Sequence, residues 1–78
     1  MPVQRGTPVP PSRQIANALR EAIADGTYPP DSKLPSRLEL AAEWGVGQDT
    51  AAKAVRILRD EGLVQVVPGY GVFVARRG

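Results

Sequence analysis

The chain has 78 residues, which is enough for one small domain and too few for two. Hydrophobic residues make up 42% and charged residues 23%, a balance typical of a folded globular protein. The sequence contains no cysteine and no histidine, which excludes disulfides, thiolate metal sites and imidazole-based catalysis. We therefore expect no enzyme activity, no cofactor and no metal, and the net charge of +2 indicates a nucleic-acid partner only weakly.

Residues 1–11 differ in composition from the rest of the chain. Four prolines, at positions 2, 8, 10 and 11, accompany a single charged residue, Arg5, without apolar periodicity. This composition predicts a flexible, proline-rich arm, followed by one domain over residues 12–76. The start of the chain lacks the apolar segment of a signal peptide, and no apolar run approaches the roughly 20 residues of a membrane helix. We expect a cytoplasmic protein with no membrane partner.

The first predicted helix covers residues 12–25, where apolar side chains recur at three- and four-residue spacing. Ser12 can serve as its N-cap, and Gly26 as a left-handed stop that a proline pair then reinforces. A short extended stretch at residues 33–34 leads to the second helix.

The second helix is marked by a capping box, in which Ser36 and Glu39 satisfy each other's free backbone amides. Trp44 lies in register with the apolar face of this helix, so we expect it in the core and not in contact with a base or ligand. Residues 45–47, Gly-Val-Gly, end the helix with a positive φ followed by a buried valine.

The third helix is predicted from about Gln48 to Glu61, with small or aliphatic residues on one face. Ala41, Gly45 and Ala51 are spaced as in a helix-turn-helix, in which two helices cross closely and the second enters the major groove of DNA. Residues 48–61 are therefore a candidate recognition helix. The same spacing also fits two helices that simply pack in a small bundle.

Two strand-like runs, residues 63–67 and 72–75, are joined by a glycine-rich turn and predict a hairpin. Three apolar residues of this hairpin are expected to complete the core: Val66, Phe73 and Val74.

The predicted fold class is mainly α with a small β-hairpin, in the order of a winged helix-turn-helix: three helices plus a two-stranded wing. In such folds the hairpin lies beside the recognition helix. The wing, here residues 68–72, then contacts the adjacent DNA backbone or minor groove.

Short blocks of sequence appear in a characteristic order along residues 12–75. These blocks are Gln14-Ile15-Ala16, Leu19-Arg20, Ile23, Gly26-Thr27-Tyr28-Pro29-Pro30, Leu34-Pro35-Ser36, Glu39-Leu40-Ala41, Gly45-Val46, Leu58, Glu61-Gly62-Leu63-Val64 and Gly69-Tyr70-Gly71-Val72-Phe73-Val74. Together they resemble the N-terminal winged-helix domain of GntR-family transcription regulators. The resemblance implies binding to operator DNA, usually as a dimer on a near-palindromic site, by a bacterial protein that is most often a repressor.

The sequence departs from the family pattern at positions that commonly contact DNA. Where the family often has an arginine in the second helix, Leu38 stands here, and Arg37 precedes it. At two positions of the recognition helix where the family often has arginine, this chain has Gln48 and Ala52. Between the two wing glycines, where the family commonly has a cationic residue, it has Tyr70. These contacts are therefore not carried over, and an altered specificity is expected.

Replacement contacts follow from side-chain chemistry. Gln48 can pair with adenine, Asp49 can accept from cytosine, and Thr50 can bond a phosphate or contact a thymine methyl. Arg37, Lys53 and Arg56 can hold phosphates. The candidate DNA-binding residues, on the second helix, the recognition helix and the wing, are Ser36, Arg37, Leu38, Gly47, Gln48, Asp49, Thr50, Ala52, Lys53, Arg56, Gly69, Tyr70 and Gly71.

Two of these candidates also fit roles without DNA. Asp49 lies in the first helical turn, where an acidic side chain interacts favourably with the helix dipole. Arg56, like Arg59, fits an ordinary solvated helix face.

Two functional hypotheses remain open at this point. The first is a GntR-like regulator that binds a double-stranded DNA operator. The alternative is a winged-helix protein-interaction module with weakened or lost DNA binding. A cluster of Arg37, Lys53, Arg56 and Arg77 on the recognition face would favour DNA. The resemblance also implies a possible homodimer and an effector-binding domain that is absent from this chain.

Overall fold

Three helices precede a two-stranded antiparallel sheet in the computed structural model, which describes residues 3–76. The elements are α1 (Pro11–Ala24), α2 (Arg37–Trp44), α3 (Gln48–Asp60), β1 (Val64–Val67) and β2 (Gly71–Val74). The predicted order of elements and the winged-helix class are confirmed. Within residues 3–76, no helix combines the length and the apolar character needed to cross a membrane.

Helix α1 begins one residue earlier than predicted, and the assignment of Ser12 as its N-cap is wrong. Pro10 occupies the N-cap without a side-chain hydrogen bond, and Pro11 is the first helical residue. Proline suits this position because its fixed φ is helical and its missing N–H would have no partner there. At the other end, Gly26 has the predicted positive φ, +88°.

The segment before α1 contacts two helices. The Gln14 side-chain amide donates to the carbonyls of Gln4 (2.8 Å) and Val9 (2.9 Å), and the Gln4 N–H donates to Gln14 Oε1 (2.7 Å). The Val3 N–H donates to the carbonyl of Trp44 at 3.2 Å. Residues 3–9 therefore lie against α1 and the end of α2.

Helix α3 is the central element, since α1, α2 and β1 all pack against it. Trp44 is 7% exposed and belongs to the core, as predicted. Val46, expected to be buried, is half-buried and packs on the edge of the core. The buried core residues are Ile15, Ala16, Leu19, Leu34, Leu40, Ala41, Trp44, Ala51, Ala54, Val55, Leu58, Leu63, Val64 and Val74.

Only part of the hairpin joins this core. Val64 pairs with Val74, and both are buried, whereas Val66 is 44% exposed and Phe73 is half-buried. The prediction of a core position is therefore confirmed for Val74 and wrong for Val66 and Phe73. Val66 lines an open groove between the hairpin and α3. Phe73 projects from the opposite face of the sheet to Val74.

The extended stretch before α2 lies along the free edge of β2. The Leu34 N–H donates to the Val72 carbonyl and the Val74 N–H donates to the Ser32 carbonyl, both at 2.8 Å. Lys33 lies opposite Phe73 in this arrangement. The wing is therefore attached through its backbone to the segment that leads into the helix-turn-helix.

Candidate nucleic-acid interface

The start of α2 is fixed by the predicted capping box. Ser36 Oγ accepts from the Glu39 N–H at 3.1 Å, and Glu39 Oε1 accepts from the Ser36 N–H at 2.9 Å. The hydrogen bond from the Ser36 backbone lowers the pKa of the Glu39 carboxyl, because it favours the charged form. Arg37 thereby becomes the first residue of α2, followed by Leu38, which is 61% exposed.

The turn between α2 and α3 has the predicted backbone. Gly45 adopts φ +69°, and its N–H and that of Val46 both donate to the Ala41 carbonyl. Gly47 is the N-cap of α3, and its carbonyl accepts from the Ala51 N–H at 3.2 Å. Residues 37–60 therefore form the predicted helix-turn-helix, with the first turn of α3 at the surface.

Helix α3 separates a buried face from an exposed one. Its buried residues are Ala51, Ala54, Val55 and Leu58. Gln48, Ala52 and Arg56 follow one another at four-residue spacing, so they share a stripe on the other side. Asp49 and Lys53 form the adjacent exposed stripe, while Thr50 is half-buried.

A groove of about 740 Å³ lies between α3, the start of α2 and the wing, and we call it the basic groove. Among the described residues that line it, four are cationic and none is acidic. The cations are Lys33, Arg37, Arg56 and Arg59. The apolar floor includes Leu34, Val55 and Val72.

The basic groove brings together about half of the predicted site residues. Those that line it are Ser36, Arg37, Ala52, Arg56, Gly69, Tyr70 and Gly71. Those that lie outside its lining are Leu38, Gly47, Gln48, Asp49, Thr50 and Lys53. Of the residues outside the lining, Leu38 lies on α2 and Gly47 is the N-cap of α3. The others lie on the first two turns of α3.

The predicted cationic cluster is only partly assembled. Arg37 and Arg56 meet at the basic groove, Lys53 does not line it, and Arg77 lies outside the described residues. Lys33 and Arg59 take part instead. The spacing of Arg59, three residues after Arg56, could have identified it on the same face. No local pattern identifies Lys33, because its position depends on pairing with a strand 40 residues away.

Three of the four cations are available to an anionic ligand. Within residues 3–76, the side chains of Lys33, Arg37 and Arg56 make no ion pair or hydrogen bond. Arg59 lies 3.5 Å from Asp60 in an exposed pair. By contrast, the guanidinium of Arg20, which does not line the groove, is held by Glu61 through contacts of 2.8 and 2.6 Å.

The wing forms one wall of the groove. The Tyr70 N–H donates to the Val67 carbonyl at 3.0 Å, and Gly69 adopts φ +83°, which closes the turn tightly. Tyr70 at its tip is 73% exposed. A large aromatic side chain at this degree of exposure is free to contact a partner through both its ring and its hydroxyl.

A protein-family model for bacterial regulatory proteins of the gntR family matches residues 11–74. The histidine utilization repressor of Klebsiella aerogenes is 38% identical over 71 residues, which are 91% of this chain and 30% of that protein. The transcriptional repressor NagR of Bacillus subtilis is 34% identical over 76 residues, which are 97% of this chain and 31% of that protein. The chain thus spans less than a third of the length of these curated relatives.

Solved structures share the fold closely. YtrA from Sulfolobus acidocaldarius, a GntR-family transcription factor, superposes with a TM-score of 0.88 and 37% identity over 97% of this chain and 80% of that chain. The DNA-binding domain of AraR, crystallised in complex with operator ORX1, has a TM-score of 0.85 and 33% identity over 96% of this chain and 89% of that chain.

Proposed function

The chain belongs to the GntR family of bacterial regulatory proteins, and we propose that it binds double-stranded operator DNA in a sequence-specific manner and represses transcription. The observation that carries the proposal is the basic groove, whose unpaired cations lie beside an exposed helix-turn-helix. Related chains named as repressors and the AraR domain bound to its operator support it.

We place the first turn of α3 in the major groove. Gln48 and Asp49 are exposed there, and Gly47 before them adds no side chain that would keep the helix from the bases. A glutamine can form two hydrogen bonds with adenine, and an aspartate accepts from cytosine. Base preference is therefore assigned to these two side chains, in place of the arginines that the family often uses.

The groove cations are assigned to phosphates. Arg37 at the start of α2 and Arg56 on α3 face the same groove from two sides, which matches a DNA strand that passes between the helix-turn-helix and the wing. Tyr70 at the wing tip is assigned to the adjacent sugar-phosphate backbone or minor groove. Such contacts fix the orientation of the domain on the duplex.

A protein-interaction module is the less supported alternative. Exposed cations without carboxylate partners match a polyanion better than a protein surface, in whose interface cores charged residues are depleted. Neither the family description nor the named relatives point to catalysis. As a regulator of bacterial genes, the protein is expected to act in the cytoplasm.

Paired binding is part of the proposal. A single domain of this type covers one half-site, and a two-fold symmetric pair covers a near-palindromic operator. We expect a homodimer, with effector binding assigned to a region outside these 78 residues.

Selection of bound duplexes from a random DNA pool by the purified chain, at low and at physiological salt, tests the function. We expect enrichment of a short motif, either alone as a half-site or as an inverted repeat. Binding measured by fluorescence anisotropy should then be tighter for the enriched duplex than for a scrambled duplex of the same composition. Absence of any enriched motif, with weak binding that disappears as salt is raised, would contradict sequence-specific recognition.

A further inference from the structure

The side chain of Lys33 lies directly over the backbone of Gly71 in the wing. A Cβ atom placed on Gly71 would approach Lys33 Cε to 2.8 Å, Nζ to 3.6 Å and Cδ to 3.8 Å. A separation of 2.8 Å is shorter than real Cβ contacts, so a side chain at position 71 would move the end of the lysine side chain away from this position. The absence of a side chain on Gly71 thus leaves the space that the lysine stem occupies.

Strand pairing accounts for this position. Lys33 is opposite Phe73, and the hydrogen bonds of Leu34 and Ser32 to β2 fix its backbone on either side. Residues two apart on a strand share one face of the sheet, so Gly71 is the diagonal neighbour of Lys33 on the same face. A long side chain can reach such a neighbour, and the lysine therefore extends toward the wing turn.

The wing has no positive charge of its own. Residues 67–72, Val-Pro-Gly-Tyr-Gly-Val, are uncharged, and Tyr70 stands between the glycines. The end of the Lys33 side chain, which forms no ion pair within residues 3–76, lies against Gly71 at the base of this turn, and Lys33 belongs with Arg37 to the residues that line the basic groove. Lys33 also contributes, as the weakest of the favourable influences, to the lowered pKa of Glu39, which places its charge near the start of α2.

We propose that Lys33 supplies the phosphate-binding charge of the wing, and that Gly71 positions it by leaving room for its stem. This inference rests on the proposed DNA-binding function. The ligand group is a phosphate of the duplex backbone where it passes between the wing and the start of α2. Because a phosphate contact is independent of base identity, Lys33 contributes to affinity on every sequence.

The charge is tested with Lys33→Met, which keeps an unbranched stem over Gly71 and removes the ammonium. The slope of log affinity against log salt is measured on the selected duplex, and we expect it to become shallower by about one unit, with weaker binding on all sequences. Lys33→Arg should retain the slope. Arg13→Met, which removes an exposed cation of α1 outside the groove, is the matched control and should change the slope less.

The positioning role is tested by Gly71→Ala in two backgrounds. With Lys33 present, the added Cβ displaces the lysine stem, so the slope should fall as it does for Lys33→Met. In a Lys33→Ala background, Gly71→Ala should leave the slope unchanged, because no ammonium remains to be displaced. The backbone strain of alanine at φ +125° is the same in both backgrounds and cancels in the comparison.

The outcomes separate this inference from the function on which it rests. Failure of the unaltered chain to prefer any duplex contradicts the proposed function itself. If the unaltered chain binds a specific duplex and Lys33→Met leaves the salt slope unchanged, the role of Lys33 is overturned and the proposed function stands. Equal effects of Gly71→Ala in both backgrounds overturn the positioning role. If the alanine variants lose their helical circular dichroism, they are unfolded, and the salt slope of Lys33→Met then decides whether Lys33 contacts a phosphate.

Discussion

Gln48 begins α3 and stands exposed directly after the N-cap glycine, with no side-chain partner within residues 3–76. We expect Gln48→Ala to cost about 1 to 3 kcal/mol on the selected duplex and to relax the preference at one base pair, because a two-bond contact with adenine is lost. Anisotropy titrations against a panel of single-base operator variants measure this. An equal loss on every member of the panel would contradict base recognition by Gln48.

Arg56 and Lys53 lie on neighbouring exposed stripes of α3, but only Arg56 lines the basic groove. We expect Arg56→Ala to weaken binding on all sequences and to reduce the salt dependence by about one unit, since one phosphate contact is lost. Lys53→Ala is the comparison from the adjacent stripe, with a smaller expected change. If Arg56→Ala leaves the salt dependence of binding unchanged, Arg56 does not contact a phosphate of the DNA.

At the scale of an element, α2 depends on a titratable cap. The folded-state pKa of Glu39 is lowered by the Ser36 N–H, so the charged cap stabilises the fold most at pH values above the ordinary pKa of a glutamate in the unfolded chain. That contribution is lost as the pH falls through the lower folded-state value. We expect Glu39→Gln, which can still accept the hydrogen bond, to show a flatter decrease of the free energy of unfolding in acid. Urea unfolding at several pH values measures this, and identical acid dependence of both proteins would contradict it.

The helices could be predicted closely because their boundaries are encoded locally. The capping box at Ser36 and the positive φ of Gly45 involve residues three or four apart, and both are present in the structure. Ser12 failed as a cap because the sequence offered a second start signal, the proline pair before it, and the helix begins there. Adjacent signals of this kind shift a boundary by a residue and leave the element in place.

The hairpin and the candidate site were harder to predict because their environment comes from distant parts of the chain. Alternation in the sequence predicts the strands but not which of their side chains face an open groove, so Val66 is predicted in the core and is exposed. Arg37, Arg56 and the wing residues line one groove, and their role in DNA binding stays a prediction. Lys33 was missed since only its pairing with β2 brings it to the wing.

At the scale of the whole molecule, the described chain offers one recognition helix and one wing, which suit a single half-site. We expect two copies joined by a flexible glycine- and serine-rich linker to bind an inverted repeat about 10²- to 10⁴-fold more tightly than one copy, provided that the linker spans both half-sites. Titration of the linked protein against the intact repeat and against a repeat with one half scrambled measures this gain. Equal affinities for the two duplexes would contradict paired recognition.

The pairing of residues 31–34 with β2 also bears on how the chain acquires its structure during synthesis. The backbone partners of Ser32 and Leu34 are Val74 and Val72, which leave the ribosome about 40 residues later. The segment that leads into α2 therefore lacks its backbone partners until nearly the whole domain has been made, and contacts of such separation slow folding. A chain that stops before β2 would have all three helices in its sequence, yet the approach to α2 would be unsupported. We therefore expect the helix-turn-helix and the wing to fold together as one cooperative unit.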